Sequence, residues 1–247
     1  MNLIVISELF PPEETSTAYI MGEITKTLSD KYNVTIVCGP EVYDQNKLTV
    51  LPKSSLIAGV TTIRVKGIKE NKANKLSRIR KFLLMSWRLY KASKKVINKG
   101  DKVLLVSNPF PLLILMAFHR KKMDYEISFL AHDLFPEPLL MRFKLPNLVY
   151  RQCLNIFNRS YARMDKIISL GRDMTDVLRE KTMPYNPNLE IIQIENWGDI
   201  NSIYPMDTHS DSDKITIEYA GNMGKSQKLD ALIAVSYTHL RAHETPE

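Results

Sequence analysis

Short runs of consecutive apolar residues alternate along this chain with longer stretches in which apolar positions recur every three to four residues. The runs Leu3 to Ser7, Val34 to Cys38, Thr61 to Val65, Lys102 to Val106, Tyr125 to Leu130, Lys166 to Leu170 and Leu189 to Ile194 predict seven strands. The periodic stretches predict helices near Ser16 to Lys31, Lys75 to Asn98, Pro111 to Lys121, Asn147 to Met164 and Arg172 to Glu180. Strand and helix in alternation are the signature of repeated β-α units. The fold class expected is therefore α/β, a Rossmann-like doubly wound parallel sheet over residues 1–200.

The pattern then changes. Residues 201–213 are polar, with a proline and clustered aspartates, and read as an interdomain linker. Lys214 to Gly221 (KITIEYAG) reads as a buried strand, Gly221-Asn222-Met223-Gly224 as a turn, and Leu229 to Val235 as an opening helix. Residues 214–235 are thus expected to be the first β-α unit of an incomplete second Rossmann-like domain. The last residues, 236–247, have no apolar period to continue that helix and resemble a translated sequencing-adapter tail. On this reading the chain is an N-terminal half with a non-native end.

Composition is that of an ordinary globular protein: 247 residues, 44% hydrophobic, enough for one substantial core and a partial second one. Cys38 and Cys153 are far apart and lack metal-ligand spacing, which points to a reduced compartment and to no zinc or redox site. The chain enters a strand at once with no basic leader, and its longest apolar stretch, Val103 to Phe118, is interrupted by Asn108-Pro109-Phe110-Pro111. No spanning helix is predicted, and a cytoplasmic location is expected.

Charge is uneven. Ten cations, Lys72, Lys75, Arg78, Arg80, Lys81, Arg88, Lys91, Lys94, Lys95 and Lys99, lie in a stretch without a carboxylate and exceed the net charge of the whole chain, +7. Basicity confined to one predicted helix points to a surface rather than to nucleic acid. With Trp87, Tyr90 and many apolar residues among the cations, stretch 72–99 is expected to contact an anionic membrane surface. The competing reading is a solvated helix packing its apolar stripe on the sheet.

Ligands of doubly wound sheets bind at the carboxyl ends of the strands, which directs attention to the residues after each one. After strand one, Thr15 or Ser16 is placed to cap the first helix, whose free amides favour an anion or a sugar hydroxyl. No GxGxxG motif is present, which disfavours a dinucleotide site. After strand five, His132 and Asp133 can hydrogen-bond sugar hydroxyls, and a neutral imidazole can accept from a substrate group; an ordinary structural histidine is the plainer alternative. After strand seven come Asn196, Trp197, Gly198 and Asp199, where the indole can stack on a ring or pack as a hinge. The Gly221 to Gly224 turn followed by Lys225 and Lys228 can hold a diphosphate.

Taken in order, Phe10-Pro11-Pro12, His132-Asp133-Leu134-Phe135-Pro136-Glu137, Glu195-Asn196-Trp197-Gly198-Asp199 and Tyr219-Ala220-Gly221-Asn222-Met223-Gly224-Lys225-Ser226-Gln227-Lys228-Leu229 resemble the GT-B retaining glycosyltransferases of family four, especially the bacterial surface-polysaccharide members. The resemblance implies an acceptor-binding N-terminal domain, a donor-binding C-terminal domain, and transfer from a nucleotide sugar, a UDP-sugar by preference, with no metal and no cofactor. It assigns His132 and Asp133 to the reacting cleft, Thr15, Ser16, Thr17 and Glu137 to substrate, and Asn196, Trp197 and Asp199 to the interdomain mouth. Gly221, Asn222, Gly224, Lys225 and Gln227 are assigned to the donor diphosphate. The chain departs from the family in having Glu13-Glu14-Thr15 where a glycine pair is common, and in lacking the paired-glutamate motif of the C-terminal domain. The partners implied are a nucleotide sugar and a lipid-linked saccharide, with the protein peripheral at the inner face of the plasma membrane. Two other readings remain: a non-catalytic acceptor-binding half of a two-subunit transferase, and a GT-B sugar-nucleotide epimerase.

Overall fold

The structure, a computed structural model, describes residues 1–41, 57–71, 74–137, 146–198, 203–204, 218–221 and 228–242. Its contacts divide the chain into two units, Met1–Trp197 and Gly198–Glu247.

The first unit is built on seven strands: β1 (Asn2–Ser7), β2 (Asn33–Cys38), β3 (Val60–Arg64), β4 (Lys102–Val106), β5 (Glu126–Ala131), β6 (Lys166–Ser169) and β7 (Glu190–Gln193). All are parallel, in the spatial order β3-β2-β1-β4-β5-β6-β7. Parallel neighbours need a crossover between them, and helices supply it in every connection but that from β2 to β3, where residues 42–56 lie outside the described residues. The helices are α1 (Ser16–Ser29), α2 (Lys75–Ser93), α3 (Pro111–Arg120), α4 (Asn147–Tyr161) and α5 (Arg172–Thr182). The seven expected strands are all present.

Side chains of a strand point alternately to the two faces, so one apolar run feeds two cores. Ile4 and Ile6 of β1 join Val103, Leu105, Ile127 and Phe129 in a core closed by Met85 and Leu89 of α2, Met116 of α3 and Phe157 of α4. Leu3 and Val5 face the other way and meet Val34, Ile36, Leu104 and Met21 of α1. The central strands thus have no wet face, which is why their sequences are continuously apolar.

The largest departures from the expected boundaries are at two helix ends. Helix α2 stops at Ser93 rather than Asn98, because the chain tightens into turns, with the amides of Lys95 and Val96 bonded to the carbonyls of Ala92 and Ser93. Those turns bring Ile97 into the core at 3% exposure. In the second unit, helix α6 (Leu229–Ala242) continues past Val235, where the apolar period ends. No glycine or proline interrupts Ser236 to Ala242, and Leu240, Arg241 and Ala242 are strong helix formers, so propensity carries the helix where amphipathicity does not. Residues 218–220 have no strand pairing, and 214–217 lie outside the described residues.

Candidate functional site

Strand order reverses between β1 and β4: β1 is followed by strands on one side and β4 by strands on the other. The crevice outside their carboxyl ends is where an open α/β sheet receives its ligand. Three loops form its rim, following β1, β4 and β5.

The loop after β1 is pinned along its length. The Ser7 hydroxyl donates to the Leu9 carbonyl at 2.7 Å, Phe10 is buried, and Arg64 of β3 donates to the carbonyls of Pro11 at 2.5 Å and Gly39 at 3.4 Å. Helix α1 closes against it so tightly that a Cβ on Gly22 would lie 2.7 Å from the Pro11 ring. Thr15 caps α1, its hydroxyl accepting from the Ala18 amide at 3.2 Å. Ser16, exposed, and Thr17, half-buried, open the first turn, whose amides have no intrahelical acceptor.

The loops after β4 and β5 are joined by one hydroxyl that sequence reasoning missed. Ser107, buried, accepts from the backbone amides of both His132 and Asp133, each at 3.2 Å. This seats His132 beside the switch point. Its ring is half-buried, and Nε2 is enclosed with no hydrogen-bond partner among the described residues. Burial pushes its pKa below the ordinary imidazole value, against a smaller opposite pull from Asp133, so the ring is neutral near pH 7. Asp133 is exposed. Beyond it, the Phe135 amide donates to the Tyr161 hydroxyl at 3.0 Å, and its ring stacks on Phe110 with centroids 4.6 Å apart. One carboxylate oxygen of Glu137 is ion-paired with Lys181, and the other is enclosed without a hydrogen-bond partner among the described residues.

A second feature missed from sequence is the buried carboxylate of Glu8, immediately after β1. Glu8 is 4% exposed, and its Oε1 lies 3.8 Å from the ammonium of Lys81 on α2, itself 6% exposed. Lys81 also pairs with Glu70 at 3.1 Å, and Glu70 with Arg78 at 3.3 Å. Burial raises the Glu8 pKa, with Lys81 opposing and Glu70 reinforcing that rise. The helical phase held a signal: Lys81 is four and eight positions before the core residues Met85 and Leu89.

The basic stretch is accordingly less of a free positive surface than its composition implies. Lys81 and Arg78 are turned to carboxylates, Arg88 donates to the carbonyls of Lys66 and Gly67 at 2.8 and 2.9 Å, and Lys99 lies 4.0 Å from Asp124. Lys72 is outside the described residues. Arg80, Lys91, Lys94 and Lys95 remain exposed.

Asn196 and Trp197 close the first unit and are both exposed, Trp197 at 46%. In the second unit Gly221 is exposed with φ +156°, a backbone conformation that favours glycine. Asp199, Asn222, Gly224, Lys225 and Gln227 lie outside the described residues. Among the described residues no group of three His, Cys, Asp or Glu side chains is arranged to hold a metal, and no helix is long and apolar enough to cross a membrane.

Comparison with known proteins finds one similar sequence and several similar folds. The sequence is 23% identical over 247 residues to a probable glycosyltransferase, WbjE, of Pseudomonas aeruginosa, a match covering 94% of this chain and 58% of that protein. The fold is similar to the N-terminal domain of trehalose-6-phosphate phosphatase from Candida albicans, with TM-score 0.57, 11% identity, 81% of this chain and 49% of that one. It is also similar to an E. coli trehalose-6-phosphate structure bound with UDP-2-fluoro glucose, with TM-score 0.50, 13% identity, 78% of this chain and 48% of that one. No protein-family model matches the chain. The chain spans about half the length of these proteins.

Proposed function

We propose that this chain is the acceptor-binding part of a retaining glycosyltransferase that moves a sugar from a nucleotide sugar, a UDP-sugar by preference, onto a lipid-linked saccharide in surface-polysaccharide synthesis. The observation that carries the reading is His132: a neutral, half-buried imidazole at the carboxyl end of β5, next to the switch point, whose Nε2 has no partner among the described residues. A neutral ring in that position can accept a hydrogen bond from a sugar hydroxyl without adding charge to the cleft. The similarity to WbjE and to a fold seen with a UDP-sugar analogue supports the same class.

In this scheme His132 orients the transferred sugar, Asp133, Thr17, Ser16, Thr15 and Glu137 line the acceptor side, and the first turn of α1 offers amides to an anionic or hydroxyl group. Transfer proceeds by stabilising the departing diphosphate while the acceptor hydroxyl attacks from the same face, with no metal invoked. Asn196, Trp197 and Asp199 are assigned to substrate binding. Gly221, Asn222, Gly224, Lys225 and Gln227 begin the diphosphate site. The acceptor is lipid-linked, so the protein works at the inner face of the plasma membrane.

The test is nucleoside diphosphate release by the whole protein carrying this chain, with a panel of UDP-sugars and a lipid-linked saccharide. Release that requires both substrates and falls at least ~100-fold in His132→Ala is expected. Conversion of the nucleotide sugar to its epimer without any acceptor would favour the epimerase, and no release with any donor and acceptor pair would refute the proposal.

A further inference from the structure

Large aromatic side chains that serve only a core end up covered, as Phe129, Phe157 and Tyr161 do here at 1%, 4% and 1% exposure. Three others stop short of that. Phe82 of α2, Phe110 after β4 and Phe135 after β5 are each half-buried and form a row, with ring centroids 5.1 Å apart between Phe82 and Phe110 and 4.6 Å apart between Phe110 and Phe135. The covered ring of Phe157 backs the row, 6.1 Å from Phe110 and 6.3 Å from Phe135. Phe110 and Phe135 follow the carboxyl ends of their strands, so the row stands on the rim of the crevice.

Two features set this row apart from the margin of a core. Phe110 holds the N-cap position of α3 and makes no side-chain cap bond, where a serine or an aspartate would satisfy an orphan amide and steady the helix. A ring is kept there at the expense of the cap. Each of the two loop rings also stands three residues after a polar group of the crevice, Ser107 before Phe110 and His132 before Phe135. The Ser107 hydroxyl accepts from the amides of His132 and Asp133, each at 3.2 Å, which ties the two loops together. The loop that carries Phe135 thus also carries a half-buried imidazole and the exposed carboxylate of Asp133.

A pyranose ring matches this arrangement, because its C–H face stacks on aromatic rings while the hydroxyls at its perimeter seek acceptors at the edge. An alkyl chain would use the rings and ignore the polar border. An anionic group would meet Asp133, while Lys81 beside Phe82 and Lys181, which reaches the same β5 loop, are both turned to carboxylates. We infer that Phe82, Phe110 and Phe135 form a stacking platform for a neutral sugar ring of the acceptor saccharide, with Asp133 accepting from its hydroxyls. That the ring belongs to the acceptor rests on the transferase reading; that the row binds a sugar does not.

Saturation-transfer NMR of the full chain with methyl β-glucoside, methyl β-galactoside and methyl β-glucuronide tests this without donor or turnover. Irradiation of the aromatic protons should label the ring C–H protons of the neutral glycosides above their methoxy protons, and label the glucuronide less. Phe82→Leu should weaken glucoside binding about threefold and Phe110→Leu/Phe135→Leu about tenfold, whereas Phe82→Tyr, which keeps a ring, should stay within about twofold of the parent. Thermal melts identify any variant that fails to fold, and Phe82, at the end of the row, then carries the comparison alone. Absence of transfer to the neutral glycosides, a glucuronide bound as well as the glucoside, or a Phe82→Leu chain that binds as well as the parent overturns the inference. So does displacement of the glucoside by a UDP-sugar in the whole protein, since the row would then hold the transferred sugar. Glycoside binding that depends on the rings, in a protein that releases no nucleoside diphosphate, would keep the platform and refute the transferase reading alone.

Discussion

Lys81→Met separates the buried pair at the root of the crevice. Methionine nearly preserves the volume of the lysine stem and removes only its charge, leaving the Glu8 carboxylate enclosed at 4% exposure with no cation beside it. Breaking a buried ion pair from one side costs about 3–5 kcal/mol. Here the loss has a ceiling, because Glu8 can take up a proton instead of remaining charged. Protonating a carboxyl with an ordinary pKa of about 4.3 costs about 4 kcal/mol at pH 7 and about 1 kcal/mol at pH 5. Glu8 already sits above its ordinary pKa in the intact protein, so variant and parent differ by less than the ceiling. Glu70 retains Arg78 at 3.3 Å and adds little.

We therefore expect Lys81→Met to lose about 3 kcal/mol at pH 7 and about 1 kcal/mol or less at pH 5. The double variant Glu8→Gln/Lys81→Met, with both charges of this pair removed, should recover more than half of that loss. Urea unfolding followed by tryptophan fluorescence reads the relevant unit, since Trp87 and Trp197 both belong to Met1–Trp197. A loss that is the same at pH 5 and pH 7, or a double variant as unstable as the sum of its singles, would show that Lys81 acts through packing and refute the electrostatic account.

Three other perturbations have defined outcomes. A Cβ on Gly39 would lie 2.4 Å from the Glu8 carbonyl oxygen, which accepts from the Gly39 amide at 3.0 Å, whereas one on Gly22 meets only the Pro11 ring at 2.7 Å; Gly39→Ala should therefore cost about 2–3 kcal/mol and more than Gly22→Ala in thermal melts. Ser107→Ala removes the acceptor shared by two amides and should cost about 1–3 kcal/mol, with faster amide exchange at His132 and Asp133 as its signature. His119 and His132 both have pKa values lowered by burial, so the unfolded chain binds more protons and the stability they confer is complete above the ordinary imidazole pKa and lost as pH falls below it. Glu8, raised by burial, acts in the opposite sense, gaining stability as pH falls from its folded pKa toward its ordinary one. His132→Gln should flatten the acid loss and Glu8→Gln should steepen it; a stability profile unchanged by either variant would contradict these assignments.

How much of this was legible in the sequence depends on whether the cause is local. Strands flanked by helices on both faces are apolar at nearly every position, so β1 and β4 are visible as uninterrupted runs. His132 was legible because it follows β5 directly, and strand ends are where such sheets work. Ser107 was not, since its role is to accept from two amides on the next strand's loop, and nothing around it in sequence announces that pairing. Glu8 and Lys81 failed for the same reason. Each is an ordinary surface residue type whose burial becomes tolerable only once the other is nearby.

Helix α2 shows why periodicity alone could not settle the matter. It holds two apolar lines, Met85 and Leu89 on one side and Leu76, Ile79, Leu83 and Trp87 on the other, and a 3.6-residue period is satisfied by either. Size would favour burying the second line, which contains the tryptophan. What decides the rotation is that Lys81 shares a face with Met85 and Leu89 and has Glu8 and Glu70 to meet there. Turning the helix the other way would bury the larger residues but strand the Glu8 carboxylate at the sheet without its cation. The outward apolar line is thus the structural consequence of an inward charge, and Lys81→Met bears on both: without its ammonium, the rotation that exposes Leu76, Leu83 and Trp87 loses the interaction that selects it.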